Sequence, residues 1–272
     1  MRRTDSRLPL VGLILLTGGL AWGGLNAQQS GQGAATPPHN DAAVVVELFT
    51  SEGCSSCPPA DALLAKLAER NPGAHVVALE EHVDYWDDQG WKDPFSSHDW
   101  TERQNAYAGV LKNGNPYTPQ MVVDGSAEFS GGRPQLALES IAKAAAQTKA
   151  AVTLSEGAAA KPGKERFSVQ VGKLIPSRKG GAADVWLAIT ETGLHSSVTR
   201  GENAGHELRH AAIVRQMRKM GEAKPDRDIS FAGDAAIPLR GEWKRENLKA
   251  VAFVQERNSL RILGAAEIQL HP

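Results

Sequence analysis

The chain contains very little cysteine, and this scarcity excludes one class of exported protein. Two cysteines occur among 272 residues, too few for a small scaffold held together by several disulfides. They lie three positions apart as Gly53-Cys54-Ser55-Ser56-Cys57-Pro58-Pro59. A bridge across such a short loop stabilises the fold by only about 2 kcal/mol, against ~4.7 kcal/mol for a loop of ~100 residues. We therefore interpret the pair as redox-active rather than structural.

An excess of positive charge is also absent. The chain has 30 Lys+Arg and 31 Asp+Glu residues, and without residues 1–27, which hold Arg2, Arg3, Arg7 and Asp5, the balance becomes 27 to 30. Proteins that bind nucleic acid usually carry a basic excess or a basic stripe. We therefore expect no nucleic-acid partner.

Long apolar runs are missing beyond the N-terminus. There, a basic lead precedes the stretch from Leu8 to Leu20, which is too short and too rich in glycine to span a bilayer comfortably. This pattern predicts a signal peptide over residues 1–27, cleaved after Ala27, with an uncleaved anchor as the alternative. We expect a periplasmic or secreted protein that has no membrane span after cleavage.

Composition and periodicity divide the remainder into three parts. Residues 28–41 are rich in Gln, Gly, Ala and Pro and predict a disordered linker. Residues 42–149 alternate strand and helix patterns, typical of a mixed sheet flanked by helices. Residues 150–272 contain strand-like runs between turn residues, which predict a β-rich, sandwich-like domain. Within them, the pattern from Glu207 to Met220 fits either a helix or a strand.

The position of the cysteines suggests a role for each. They follow the apolar run from Val44 to Phe49 and precede a helical pattern. The free N–H groups and the dipole at a helix N-terminus stabilise a thiolate, so Cys54 is predicted to be the nucleophile. Cys57, one turn further on, would resolve the mixed disulfide. The expected cofactor is the Cys54–Cys57 disulfide alone, and the expected partners are protein or small thiol and disulfide substrates with an unknown redox partner.

The predicted order of elements is strand, helix, strand, helix, hairpin, helix. Together with the CxxC pair after the first strand and Tyr117-Thr118-Pro119 before the third strand, this order resembles the thioredoxin superfamily. This resemblance implies an α/β thioredoxin-like domain over residues 42–149. It also implies a cis peptide bond before Pro119, with Tyr117, Thr118 and Pro119 shaping a substrate groove. Glu47 resembles the buried acid that handles the proton of the resolving cysteine, and a strand-end carboxylate is its alternative interpretation.

Three further segments narrow the resemblance: Leu48–Asp61, His82–Asp87 and Gly90–Phe95. They are similar to a bacterial family of exported CxxC proteins recorded as a domain of unknown function. The family implies a thioredoxin-like core with a C-terminal β-rich extension, and it implies thiol chemistry without naming a substrate.

The connection from Glu80 to Trp100 is unusually aromatic. Trp86 and Trp91 are its best candidates for substrate contact, because aromatic side chains commonly anchor interfaces. The alternative is a small satellite core that holds a long loop in place.

The main hypothesis is an exported thiol-disulfide oxidoreductase, with the direction of electron flow open. A first alternative is a copper carrier that binds a soft metal through Cys54, Cys57 and His82. A second is a non-enzymatic interaction module formed by the C-terminal half.

Overall fold

The computed structural model describes residues 43–69, 74–111, 114–161, 163–175, 181–225 and 227–271. The predicted signal peptide and linker, residues 1–41, lie outside this part of the chain. No helix in the described residues is long and apolar enough to cross a membrane.

The first half of the described chain follows the predicted order of elements. Its strands are β1 (Val44–Thr50), β2 (Val76–His82), β3 (Gln120–Val123) and β4 (Ala127–Ser130). Its helices are α1 (Pro58–Glu69), α2 (His98–Leu111) and α3 (Pro134–Ala145). Helix α1 begins at a Pro-Pro pair, where missing N–H groups cost nothing. All seven positions of β1 and of β2 are buried, as expected for strands covered on both faces.

The second half consists of strands over its described residues, apart from a short 3-10 turn at Arg245–Asn247. The strands are β5 (Val152–Lys161), β6 (Lys164–Gly172), β7 (Ala183–Glu191), β8 (Leu194–Ser197), β9 (Glu207–His210), β10 (Ile213–Ala223), β11 (Ile229–Pro238), β12 (Leu248–Glu256) and β13 (Ile262–Gln269). The ambiguous segment from Glu207 to Met220 is therefore extended, and it supplies β9 and most of β10.

The expected fold class, a thioredoxin-like α/β domain followed by a separate sandwich, is wrong. Strands from both halves form one eight-stranded mixed sheet in the order β13-β12-β7-β10-β2-β1-β3-β4. Ile213 of β10 pairs in parallel with Glu80 of β2, and the Glu80 N–H donates to the Ala212 carbonyl at 2.9 Å. The edge of β2 is thus completed by a distant strand, because unpaired backbone groups of a buried strand are costly.

The two faces of β1 contact different helices. Val44, Val46 and Leu48 pack with Leu64 and Leu67 of α1, whereas Phe49 packs with Tyr107 of α2. Successive side chains of a strand point to opposite faces, so even-numbered residues of β1 face α1 and odd-numbered ones face α2. The parallel register pairs Thr50 with His82 and Leu48 with Glu80. The even-numbered residues of β2 therefore also face α1.

Candidate functional site

The two cysteines form a disulfide at the start of α1. The Cα atoms of Cys54 and Cys57 are 5.5 Å apart. The Cys57 carbonyl accepts hydrogen bonds from the N–H groups of Ala60 and Asp61 at 2.8 and 3.1 Å, so Cys57 caps the helix and Cys54 lies one turn before it. The predicted pair is therefore oxidised and located at a helix N-terminus.

Both cysteines are nevertheless covered. Cys54 is 1% exposed and Cys57 0% exposed, while Ser55 and Ser56 between them reach solvent. The loop that joins β8 to β9, residues 198–206, here termed the cover loop, lies against the motif. The Asn203 side chain donates to the carbonyls of Glu52 and Cys54 at 2.8 and 3.0 Å. The cover loop is thus hydrogen-bonded to the backbone of the motif, and both cysteines are buried.

The predicted groove residues lie beside the motif. The Thr118–Pro119 peptide bond is cis, as the resemblance implies. A Cβ atom added to Gly131 would lie 3.0 Å from the Cβ of Ala60 and 3.3 Å from that of Pro119. The absence of a side chain at Gly131 thus lets Pro119 approach the first turn of α1. Tyr117 points elsewhere, because its hydroxyl donates to Glu128 at 2.7 Å.

Both predicted tryptophans are half-buried and have their N–H groups bonded. The indole N–H of Trp86 donates to the Thr118 hydroxyl at 2.8 Å, and the Cβ of Trp86 would lie 3.1 Å from a Cβ added to Gly53. The indole N–H of Trp91 donates to Glu52 Oε2 at 2.8 Å. Trp86 thus links the cis-proline segment to the cysteine motif.

Glu47 lies away from the cysteines. Its carboxylate points to the α2 face of β1, where Arg103 Nε donates to Oε1 at 2.6 Å and the Tyr107 hydroxyl donates to Oε2. Glu81 lies 3.4 Å from Arg103 Nε in the same cluster. We call Glu47, Glu81, Arg103 and Tyr107 the arginine cluster. The structure therefore does not bring Glu47 together with Cys57.

A different acid occupies the cysteine side of the sheet. Asp61 lies one helical turn after Cys57 and is 4% exposed, and the Thr50 hydroxyl donates to its Oδ1 at 2.6 Å. Burial and the nearby charge of Glu80 raise the pKa of Asp61 to about 7. Asp61 thus lies in the first turn of α1, four positions after Cys57.

A chain of buried carboxylates and imidazoles continues from there. It runs from Asp93 through His82, Glu80 and His210 to Glu52, and we call it the histidine–carboxylate chain. Its four contacts measure 2.7 Å (Asp93 Oδ2 to His82 Nδ1), 3.3 Å (His82 Nε2 to Glu80 Oε1), 2.7 Å (Glu80 Oε1 to His210 Nδ1) and 3.0 Å (His210 Nε2 to Glu52 Oε1). The two imidazole rings meet edge to face, with centroids 4.8 Å apart.

Mutual pairing sets the charges in this chain. Burial lowers the pKa of His82, but the charge of Asp93 and hydrogen bonds to Asp93 and Glu80 outweigh burial and raise it well above normal. Burial also lowers the pKa of His210, but hydrogen bonds to Glu52 and Glu80 outweigh burial and raise it to about 9. Burial opposes ionisation of Glu80, and hydrogen bonds from His210 and His82 overcome it and lower that pKa. Pairing with carboxylates thus favours the charged form of both imidazoles, and pairing with imidazoles favours the charged form of Glu80.

Two sets of residues bear on metal binding. In the described residues, ligand atoms of Glu80, His82 and His210 all lie within 4.8 Å of one another. The set expected for copper, Cys54, Cys57 and His82, is engaged otherwise: the cysteines are bonded to each other, and His82 lies between Asp93 and Glu80. The only metal-compatible grouping found in the described residues contains no cysteine.

Comparison with known proteins places the chain in a family. A family model described as "Protein of unknown function (DUF1223)" matches residues 45–255. The chain belongs to the DUF1223 family. This confirms the predicted resemblance to a family recorded as a domain of unknown function. A search of curated proteins found no match.

Solved structures share the fold of this DUF1223 protein. Protein AGR_C_4864 from Agrobacterium tumefaciens is 27% identical, with 83% of this chain and 93% of that one covered and a TM-score of 0.61. HBP35 of Porphyromonas gingivalis is 19% identical, with 85% and 76% covered and a TM-score of 0.63. Both alignments include most of this chain, which shows that the fold extends across the two halves that sequence analysis had separated.

Several site residues of this DUF1223 protein escaped sequence analysis. Asp61 carries a local signal, since it lies four positions after Cys57 on a helical pattern. Glu80 carries another, since it lies two positions before His82, the candidate copper ligand, on an apolar strand and so shares its face. His210 and Asn203 carry none, because they lie more than a hundred residues away along the chain.

Proposed function

We propose that this protein is an exported thiol-disulfide oxidoreductase that acts on protein or small thiol substrates through Cys54 and Cys57. The observation that carries the proposal is the disulfide between these residues at the N-terminus of α1. A bridge across so short a loop contributes little stability, and a helix N-terminus favours the thiolate that exchange requires.

The reaction consists of two balanced exchange steps. In the oxidising direction for the protein, the Cys54 thiolate attacks a substrate disulfide, forms a mixed disulfide and releases one substrate thiolate. The Cys57 thiolate then attacks Cys54 Sγ, which closes the Cys54–Cys57 disulfide and releases the second substrate thiolate. The reverse sequence, in which a substrate dithiol reduces the protein disulfide, uses the same atoms. A thiol or disulfide partner in the exported compartment restores the starting state.

Asp61 supports the second step. Cys57 must lose its proton before it attacks, and a carboxylate is a competent base when its pKa lies near the working pH. The pKa of Asp61, raised by burial and by Glu80 to about 7, meets this condition. Asp61 therefore takes the role that the resemblance to the thioredoxin superfamily assigned to Glu47.

The surroundings of the motif support the substrate side of the proposal. The cis Thr118–Pro119 segment lies beside the first turn of α1, and Trp86 connects this segment to Gly53. An extended substrate segment would pair with the backbone here once the cover loop has moved. Trp91 would contribute through Glu52, which it orients. The N-terminal signal pattern supports export to the periplasm or beyond.

Trapping of the mixed disulfide tests the proposal. Reduced Cys57→Ser protein, incubated with glutathione disulfide, is expected to gain one glutathionyl group on Cys54, detected by intact mass and peptide mapping. Wild type should accumulate no adduct, because Cys57 resolves it, and Cys54→Ser should react far more slowly. Equal adduct formation by Cys54→Ser and Cys57→Ser, or no reaction of either native protein, would overturn the assignment.

A further inference from the structure

The histidine–carboxylate chain has a feature that thiol exchange does not explain. His82 Nε2 and His210 Nδ1 both point at one atom, Glu80 Oε1, at 3.3 and 2.7 Å. His82 and Glu80 come from β2 and His210 comes from β9, so three side chains from two separate strands converge. We propose that Glu80, His82 and His210 bind one first-row divalent cation of the zinc type.

The donor atoms suit such an ion. Two imidazole nitrogens and one carboxylate oxygen are a common protein ligand set for zinc and related first-row divalent metals. Water then takes the remaining coordination position of the ion. The three donors lie within 4.8 Å of one another. The cation would take the place of the protons that the two inner nitrogens now share with Glu80 Oε1.

The ligand atoms that face away from the proposed ion make the hydrogen bonds that are typical of metal ligands. A histidine that binds a metal generally donates its other N–H to a carboxylate or carbonyl, which fixes the ring and its tautomer. His82 does so through Nδ1 to Asp93 at 2.7 Å, and His210 through Nε2 to Glu52 at 3.0 Å. The second oxygen of Glu80 accepts the N–H of Ala211 at 2.9 Å. Each of the three ligands is thus oriented by a hydrogen bond at the atom that faces away from the proposed ion.

The buried charge favours a cation as well. The chain contains three carboxylates and two imidazoles, and each of the five side chains is 4% exposed or less. Its ion pairs within the described residues involve histidines only, with no Lys or Arg. Asp61, also buried, adds a further carboxyl group close by. A bound divalent ion would offset negative charge that is costly to bury.

This site is independent of the cysteines but adjacent to them. His210 ends β9, which directly follows the cover loop, and Glu52 lies two residues before Cys54. A cation that joins His210 to β2 would therefore hold the cover loop closed over the disulfide. The inference goes beyond the proposed function, because it would stand even if the cysteines exchanged with no substrate.

Metal titration tests the inference. Purified protein freed of metal with a chelator is titrated with Zn²⁺ against a chromophoric competitor, and bound zinc is counted by elemental analysis after gel filtration. We expect one zinc per chain, both in wild type and in the Cys54→Ser/Cys57→Ser double variant. His210→Gln should weaken binding by more than about 100-fold, since a ligand is lost and loss of an outer partner alone costs 10–100-fold.

Matched variants make the result decisive. His195→Gln, an exposed histidine on the neighbouring strand β8, should bind as wild type does. If the buried His210→Gln fails to fold, Glu52→Gln decides, with an expected 10–100-fold loss of affinity at unchanged stoichiometry. The inference is overturned if wild type binds no zinc, if the double cysteine variant loses it, or if Glu52→Gln binds as tightly as wild type.

Discussion

The same two strands, β1 and β2, carry a buried charged group on each face, and the two groups differ in what they can do. On the α2 face, the arginine cluster joins Glu47 and Glu81 to a guanidinium. On the α1 face, the histidine–carboxylate chain joins its acids through imidazoles. Arginine stays protonated in proteins, whereas histidine changes its protonation state easily and is a frequent metal ligand.

This difference separates a structural group from a functional one. In the arginine cluster, burial and the charge of Glu47 raise the pKa of Glu81 well above normal, which favours its neutral form, and Arg103 pairs directly with Glu47. The histidine–carboxylate chain retains one more acid than base and lies beside the cysteines. A buried cluster whose charges cancel can serve as a fixed part of the core. The histidine–carboxylate chain, whose charges do not cancel, is available to exchange protons or cations.

The largest expected effect comes from removing the positive charge of the arginine cluster. Arg103→Met should lower the free energy of unfolding by about 3–5 kcal/mol, because the substitution leaves Glu47 buried with no cation. Urea denaturation at pH 7 measures this loss. Exchange at Cys54 by the folded protein should change little, since the arginine cluster faces away from the cysteines.

Glu81→Gln is the matched control for that substitution. Its raised pKa favours the protonated form of Glu81, and its oxygens have no hydrogen-bond partner in the described residues. An amide of the same shape should therefore shift stability by less than about 1 kcal/mol. A loss as large as that of Arg103→Met would mean that Glu81 is ionised and that the cluster is not balanced.

On the opposite face, Asp61→Asn should change the pH dependence of stability. The pKa of Asp61 rises from 3.8 unfolded to about 7 folded, through burial and Glu80, with His82 and His210 lowering it in part. Its contribution is therefore full below pH ~4 and is lost as pH rises towards 7. Asp61→Asn should match wild type near pH 4 and exceed it at pH 8 by up to about 4 kcal/mol, at 1.36 kcal/mol per pKa unit.

Thermal unfolding from pH 4 to pH 8 measures this difference, with the exposed Asp99→Asn as control. The same variant should slow resolution of the mixed disulfide by Cys57, because the proton acceptor is gone. A variant that is less stable than wild type at pH 8, with unchanged resolution, would show that Asp61 is an ordinary ionised partner of Thr50.

The contrast between the faces also explains what sequence analysis could predict. The strand Val44–Phe49 and the position of the cysteine pair between this strand and a helix depend on local periodicity and capping, and both predictions are confirmed. The assignment of a proton-handling role to Glu47 rested on chain position alone. The alternation of a strand places Glu47 on the α2 face, so one residue of offset moved it to the wrong side of the sheet.

Features that depend on distant pairing were inaccessible. The link between Ile213 and Glu80, which merges the two halves into one sheet, comes from backbone groups that leave no pattern in either segment. His210 and Asn203 look like surface residues in a polar stretch. Only the pairing of β9 with β8 and of β10 with β2 brings them to the cysteine motif. The fold class was wrong for this reason.

The smallest expected effect concerns access to the disulfide. Asn203→Ala removes two hydrogen bonds from the cover loop to the carbonyls of Glu52 and Cys54. Each is worth about 0.5–1.5 kcal/mol, so opening of the loop should become easier by about 1–3 kcal/mol. Reduction of the disulfide by dithiothreitol should accelerate by roughly 5- to 150-fold, at tenfold per 1.4 kcal/mol.

Arg200→Ala, an exposed change in the same loop, should leave the rate of reduction as in wild type. The arginine cluster provides a further control, because Glu81 lies on the face of the sheet opposite to the cysteines. If Asn203→Ala is reduced no faster than wild type, the cover loop does not limit access, and thiols must reach Cys54 from the side of Ser55 and Ser56. If reduction of the disulfide is faster in Asn203→Ala alone, opening of the cover loop exposes the disulfide reversibly. A disulfide that exchanges with substrate thiols requires such exposure.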